Sequence, residues 1–213
     1  MNLNNFTFNT TSGIRFGSGM SVSSSQEICK ILGSNILFIT DKDLMSLKLT
    51  EPTLNELKKF SSKVEIFEDV EADPSLKTLL NSIEIGKKMK ATGVIGFGGG
   101  SSMDVAKLTS LILGSDENIE EVWGVSNAKG PRLPLVLVPT TAGTGSEVTP
   151  ISIITVGEEE KKGVSSPIIL PDVAILDPDL TIGLPAHTTA ATGIDAMVPV
   201  SYTHLTLPTK RIV

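Results

Sequence analysis

Short unbroken apolar runs alternate along this chain with stretches in which apolar residues recur every three or four positions. The first kind predicts strands buried on both faces, and the second predicts helices that cover them. Asn35-Ile36-Leu37-Phe38-Ile39-Thr40 predicts one such strand, ending at Asp41. Pro52 to Phe60 carries apolar residues at helical spacing with Glu and Lys between them, which predicts a surface helix. Lys63 to Phe67 alternates polar and apolar as a strand does, and after Asp73-Pro74 the stretch Ser75 to Lys90 predicts an amphipathic helix. A strand over 93–97, a glycine turn and a helix over 102–113 form one unit. Pro134 to Pro139 predicts another buried strand, and Ile151 to Val156, followed by Gly157 and the charged Glu158 to Lys162, predicts a hairpin. Together these elements predict an open, mostly parallel, Rossmann-like α/β sheet flanked by helices.

Ligands in such sheets sit beyond the carboxyl ends of the strands. Three chemically distinct features fall just past predicted strand ends: Asp41, the turn Gly98-Gly99-Gly100-Ser101-Ser102-Met103-Asp104, and Pro139-Thr140-Thr141. Consecutive glycines let a ligand approach backbone N–H groups without obstruction by Cβ, and at a helix N-terminus those groups and the helix dipole favour a diphosphate. A tight strand-to-helix turn without a ligand is the alternative. The stretch Gly96-Phe97-Gly98-Gly99-Gly100-Ser101 lacks the third glycine of the Rossmann fingerprint, and no Gly-Lys-Ser/Thr follows to make a P-loop. The phosphate loop is therefore of another type. Thr140 to Thr149 offers hydroxyls and small residues that suit a phosphate, a ribose or an amide, or else a polar turn. Asp41 reads either as an acceptor for ribose hydroxyls or as a helix cap.

The 213 residues are 40% hydrophobic and 20% charged, which suits a folded globular chain able to bury one large core. A net charge of −6 argues against a nucleic-acid partner. The single cysteine, Cys29, lies in an apolar helical pattern and forms no internal disulfide, so a reducing, cytoplasmic setting is expected. No apolar stretch is long enough to predict a membrane span, and the Asn-rich start does not read as a signal peptide.

Four blocks in order carry a resemblance: Gly98-Gly99-Gly100-Ser101 with Asp104, Ala106 and Lys107; Pro139 to Thr149; Leu170-Pro171-Asp172-Val173-Ala174-Ile175-Leu176-Asp177-Pro178; and Thr189 to Met197. Over roughly residues 5–197 the chain resembles the iron-type (group III) alcohol dehydrogenases. The resemblance implies the N-terminal half of a dehydroquinate synthase-like fold, with residues 1–183 as the dinucleotide-binding domain and 184–197 as the start of a helical metal-binding domain. It implies NAD as cofactor, with Asp41 at the adenosine ribose, Gly98, Gly99, Gly100, Ser101 and Ser102 at the pyrophosphate, and Asp104 supporting that loop or the ribose side. Thr140, Thr141, Gly143, Thr144 and Thr149 would line the nicotinamide half, and Lys161 would approach the cofactor. Where family members often carry Asn before Pro74, this chain has Asp73.

Asp195 would be the first ligand of Fe(II) or Zn(II), a Lewis acid that polarises the alcohol oxygen. The resemblance places a histidine four residues on, where this chain has Pro199, a helix breaker. The chain holds two histidines, His187 and His204, against the three the site needs, and His187 is expected to be a surface or capping residue. Residues 198–213 depart from the family and are expected to be a foreign or disordered tail. The expectation is a truncated, inactive fragment of an NAD- and metal-dependent dehydrogenase acting on a small alcohol or aldehyde, whose full-length parent would be a homodimer or larger. No catalytic side chain is identified. Alternatives are a glycerol dehydrogenase, a hydroxyacid-oxoacid transhydrogenase or a dehydroquinate synthase-like lyase of the same fold, or a nucleotide-binding module without catalysis.

Overall fold

The three strands richest in unbroken apolar residues occupy the middle of one sheet. The computed structural model describes residues 8–157 and 160–204. In chain order its strands are β1 (Gly13–Phe16), β2 (Asn35–Ile39), β3 (Lys63–Phe67), β4 (Gly93–Gly98), β5 (Gly124–Val125), β6 (Leu135–Pro139), β7 (Ile151–Val156), β8 (Glu160–Ser165) and β9 (Val173–Leu176). Its helices are α1 (Met20–Ser23), α2 (Ser25–Leu32), α3 (Lys42–Ser46), α4 (Glu51–Phe60), α5 (Leu76–Met89), α6 (Gly100–Ser115), α7 (Ile119–Val122), α8 (Asp179–Ile182) and α9 (Ala186–His204). Six strands form a sheet in the order β1-β9-β6-β4-β2-β3, with every pairing parallel. β4 and β6 are buried along their whole length, whereas the alternating β1 and β3 lie at the two edges. The predicted hairpin is the antiparallel pair β7–β8, which with β5 makes a second, three-stranded sheet.

Successive side chains in a strand point to opposite faces, so the sheet feeds two cores. Leu37, Ile39, Val94, Leu135 and Leu137 meet α5, α6 and the small sheet. Ile36, Phe38, Ile95, Phe97, Val136 and Val138 meet α2, α4 and α8, with Cys29 buried among them. α6 lies close over β4 because Gly96 carries no side chain there. A Cβ at that position would come within 2.7 Å of Ala106 Cβ and 2.8 Å of Leu137 Cδ2.

The chain passes from β2 outward to β3, then crosses back to β4 and continues the other way through β6 and β9. The loops leaving β2 and β4 therefore diverge, and a crevice opens between the carboxyl ends of neighbouring strands.

Two expectations need correction. α9 runs through Pro199 to His204 rather than breaking there. A proline inside a helix removes one backbone donor and crowds the turn before it, at a cost of about 3 kcal/mol, yet the turns on either side keep their own bonds. Residues 198–204 are thus helical rather than disordered, while 205–213 fall outside the described residues. Among the described residues no helix is long and apolar enough to cross a membrane.

Candidate functional site

The crevice between β2 and β4 is a cleft of about 750 Å³. Its walls are the start of α3 from Asp41 to Leu44, the segment Glu68–Ala72 after β3, Gly99–Ser102 at the start of α6, Thr140 and Thr141 after β6, and Leu184, Pro185, His187 and Thr188 around the start of α9. The three features that sequence placed at strand ends share this one cavity.

The glycines do different work. Gly98 ends β4 with φ 153°, and a Cβ there would strike Ser102 Oγ at 2.7 Å and Ser102 Cβ at 2.8 Å. The fold itself demands glycine at that position. Gly99 differs: as N-cap of α6 it has φ −76° and ψ −172°, a region open to any residue, and a Cβ would meet only Thr141, at 3.7 Å. A helix N-terminus leaves its first amides without intrahelical partners. Here no side chain caps them and the first turn holds no acid. Thr141 Oγ1 is buried beside Gly99 and has no hydrogen-bond partner among the described residues.

Asp41 is the N-cap of α3, and its carboxylate accepts from Leu44 N at 2.9 Å. Burial pushes its carboxyl above the usual range; the Leu44 amide and the Ser102 hydroxyl across the crevice favour the charged form. Asp41 therefore caps α3 and also lines the cleft.

Other expected site residues stand back from the cavity. Asp104 points to the far side of α6, accepting from Ser146 Oγ at 2.7 Å and Ile153 N at 2.9 Å. Thr144 Oγ1 accepts from Ser146 N at 3.3 Å, and Gly143 packs so tightly on α9 that a Cβ would lie 2.2 Å from Thr192 O. Thr149 is engaged through its carbonyl, which accepts from Lys107 Nζ at 3.1 Å. Lys161, on β8, is exposed and pairs at 2.5 Å with Asp73, which directly follows Ala72 of the cleft wall.

Lys107 is the residue sequence reasoning passed over. It is fully buried, and its signal was a lone charge inside the apolar run Val105-Ala106-Lys107-Leu108. Burial lowers its pKa from 10.5 to about 8, against the opposing pull of Asp104 and Glu147. Burial likewise pushes the Asp104 carboxyl up, against Lys107 and Ser146. Desolvation outweighs pairing for both partners. The acidic wall at Glu68–Ala72 was also unforeseen.

The donor set for a metal is not assembled here. Asp195 is exposed on α9, and exposed His187 lies eight positions earlier, about 12 Å along the helix axis. Among the described residues no three His, Cys, Asp or Glu side chains come together as metal ligands. The described residues do not fit Fe(II) or Zn(II).

The chain is similar to known proteins in sequence and in fold. Residues 11–178 match the sequence model of the iron-containing alcohol dehydrogenases. Long-chain-alcohol dehydrogenase 1 of Geobacillus thermodenitrificans is 37% identical over 80% of this chain and 44% of its own length. The crystal structure of a 1,3-propanediol oxidoreductase superposes with a TM-score of 0.86 at 33% identity, covering 91% of this chain and 51% of that one. A sulfoacetaldehyde reductase from Bifidobacterium kashiwanohense, solved in complex with NAD+, does so with a TM-score of 0.80 at 31% identity, covering 90% and 51%. The chain spans about half the length of these relatives. With most of its length matched in sequence and in fold, this chain belongs to the iron-containing alcohol dehydrogenase family.

Proposed function

We propose that this chain is the NAD-binding half of a dehydrogenase that interconverts a small alcohol and its aldehyde. The observation that carries the reading is the open N-terminus of α6. Its amides are uncapped, they border a cleft at the topological switch point, and Gly99 is a glycine that the fold does not require. A diphosphate between Gly98 and Ser102 satisfies those amides and meets the positive end of the helix dipole. Asp41 accepts from the adenosine ribose. With Asp43 and Glu68 on the same walls, where Asp69 is already paired with Lys42 at 2.6 Å, it disfavours the added charge of a 2′-phosphate. Thr140 and Thr141 face the nicotinamide side, with Gly143, Thr144 and Thr149 holding that loop in shape. When bound, the nicotinamide ring supplies a carbon that exchanges hydride with the substrate.

The described residues do not gather the ligands of a metal centre. The 213 residues therefore bind cofactor without turning over alcohol, and residues 184–197 begin the part of the protein that would complete the centre. Calorimetric titration tests this. NAD binds with unchanged affinity in the presence or absence of Fe(II) or Zn(II), and NADP binds at least about tenfold more weakly. Equal binding of NADP, or metal-dependent oxidation of NADH by an aldehyde, contradicts the reading.

A further inference from the structure

We propose that Lys107 is a positioning residue that fixes the Thr140–Thr149 loop opposite the glycine turn, and thereby sets affinity for the nicotinamide half of the dinucleotide. The inference rests on the cofactor reading above.

An ammonium has three donors, and all three are used. Lys107 Nζ donates to Ile151 O at 2.7 Å, Ser146 Oγ at 2.8 Å and Thr149 O at 3.1 Å. Asp104, one helical turn earlier, takes the Ser146 hydroxyl at 2.7 Å and the Ile153 amide at 2.9 Å, while its own carbonyl accepts from Ser152 Oγ at 2.9 Å. One turn of α6 thus grips residues 146–153 along both edges. The same helix opens at the glycine turn two turns away, so the loop and the diphosphate site share one rigid rod. Thr141 and Thr144 stand against Gly99 and Gly100, where the gap between the two segments is set.

Stability does not explain the arrangement. Desolvation moves both charged groups toward their neutral forms, and well-packed apolar residues often replace a buried ion pair without loss. A polar clamp does fix geometry, because each donor has one acceptor and the loop has one register in which all are met.

The test compares NAD with ADP, which carries the adenosine diphosphate without the nicotinamide riboside. In calorimetric titrations Lys107→Met lowers NAD affinity at least about tenfold and leaves ADP within about twofold of wild type. Ser146→Ala, which removes one hydroxyl and is the milder change, lowers NAD affinity about threefold with ADP again unmoved; it decides the matter if Lys107→Met does not fold. An equal loss for both ligands, unchanged NAD affinity in the folded variants, or equal affinity of wild type for NAD and ADP overturns the inference. If wild type binds neither ligand, the cofactor reading itself fails, and the inference falls with it.

Discussion

Two glycine turns close parallel strands on the same edge of the sheet, and they meet opposite fates. Gly17-Ser18-Gly19 follows β1 and leads into α1. There the buried carboxylate of Asp177, from the end of β9, accepts from Gly19 N at 3.1 Å, Ser21 N at 3.0 Å, Ser21 Oγ at 2.7 Å and Asp179 N at 3.1 Å. The protein's own anion fills that turn. At Gly98-Gly99-Gly100 no side chain enters, and the amides border a cleft instead. Glycine at a helix start is therefore ambiguous by itself. What separates an internal turn from a ligand site is whether the fold has already supplied the negative charge.

Removing the internal anion is the strongest way to test the closed turn. Asp177→Ala strands three amides and a hydroxyl, so urea unfolding at pH 7 is expected to show a loss of about 3 kcal/mol. A loss below about 1 kcal/mol would mean that the carboxylate does not hold the turn.

The loop facing the open turn carries its own polar closure at the buried Lys107, whose pH dependence has a definite sign. Lys107 titrates near 8 in the fold and near 10.5 when unfolded. Between those values the unfolded chain holds the extra proton, so stability from this group rises with pH. Relative to Lys107→Met, wild type gains as much as about 3 kcal/mol from pH 8 to pH 10.5 in urea unfolding. A flat or falling difference shows that the lysine is not charged and buried below pH 8.

Asp41 gives the smallest effect and separates its two duties. Asp41→Asn keeps an effective N-cap, so stability changes by only a few tenths of a kcal/mol. Loss of the carboxylate narrows the preference for NAD over NADP about fivefold in competition titrations, a difference of about 1 kcal/mol. An unchanged preference leaves Asp41 as a cap and nothing more.

The contrast also marks what could be read from the chain. Unbroken runs such as Leu135-Val136-Leu137-Val138 announce central strands, since only strands buried on both faces tolerate them. The glycine turn, Asp41 and Thr140-Thr141 were legible because strand ends in a parallel sheet share one edge. The filling of Gly17–Gly19 was not, because Asp177 acts from 158 residues away. Lys107 stood in plain view, yet its three acceptors lie 39 to 44 residues further on, in a loop whose path no local pattern fixes. The Glu68–Ala72 wall and the start of α9 reach the cleft through the crossing order of the strands, which periodicity does not encode. The hydrophobic pattern specifies layers; polar closures between distant segments decide which cavity stays open.

Gly99→Asp tests the central claim most directly, because it installs at the open turn the anion that Asp177 supplies at the closed one. Its backbone angles and free space accept the side chain. As an N-cap near the helix dipole, the new carboxylate should raise stability by about 0.5–1 kcal/mol. In the same protein, calorimetry should find ADP affinity reduced at least about a hundredfold. A stabilised variant that still binds ADP like wild type would contradict the account.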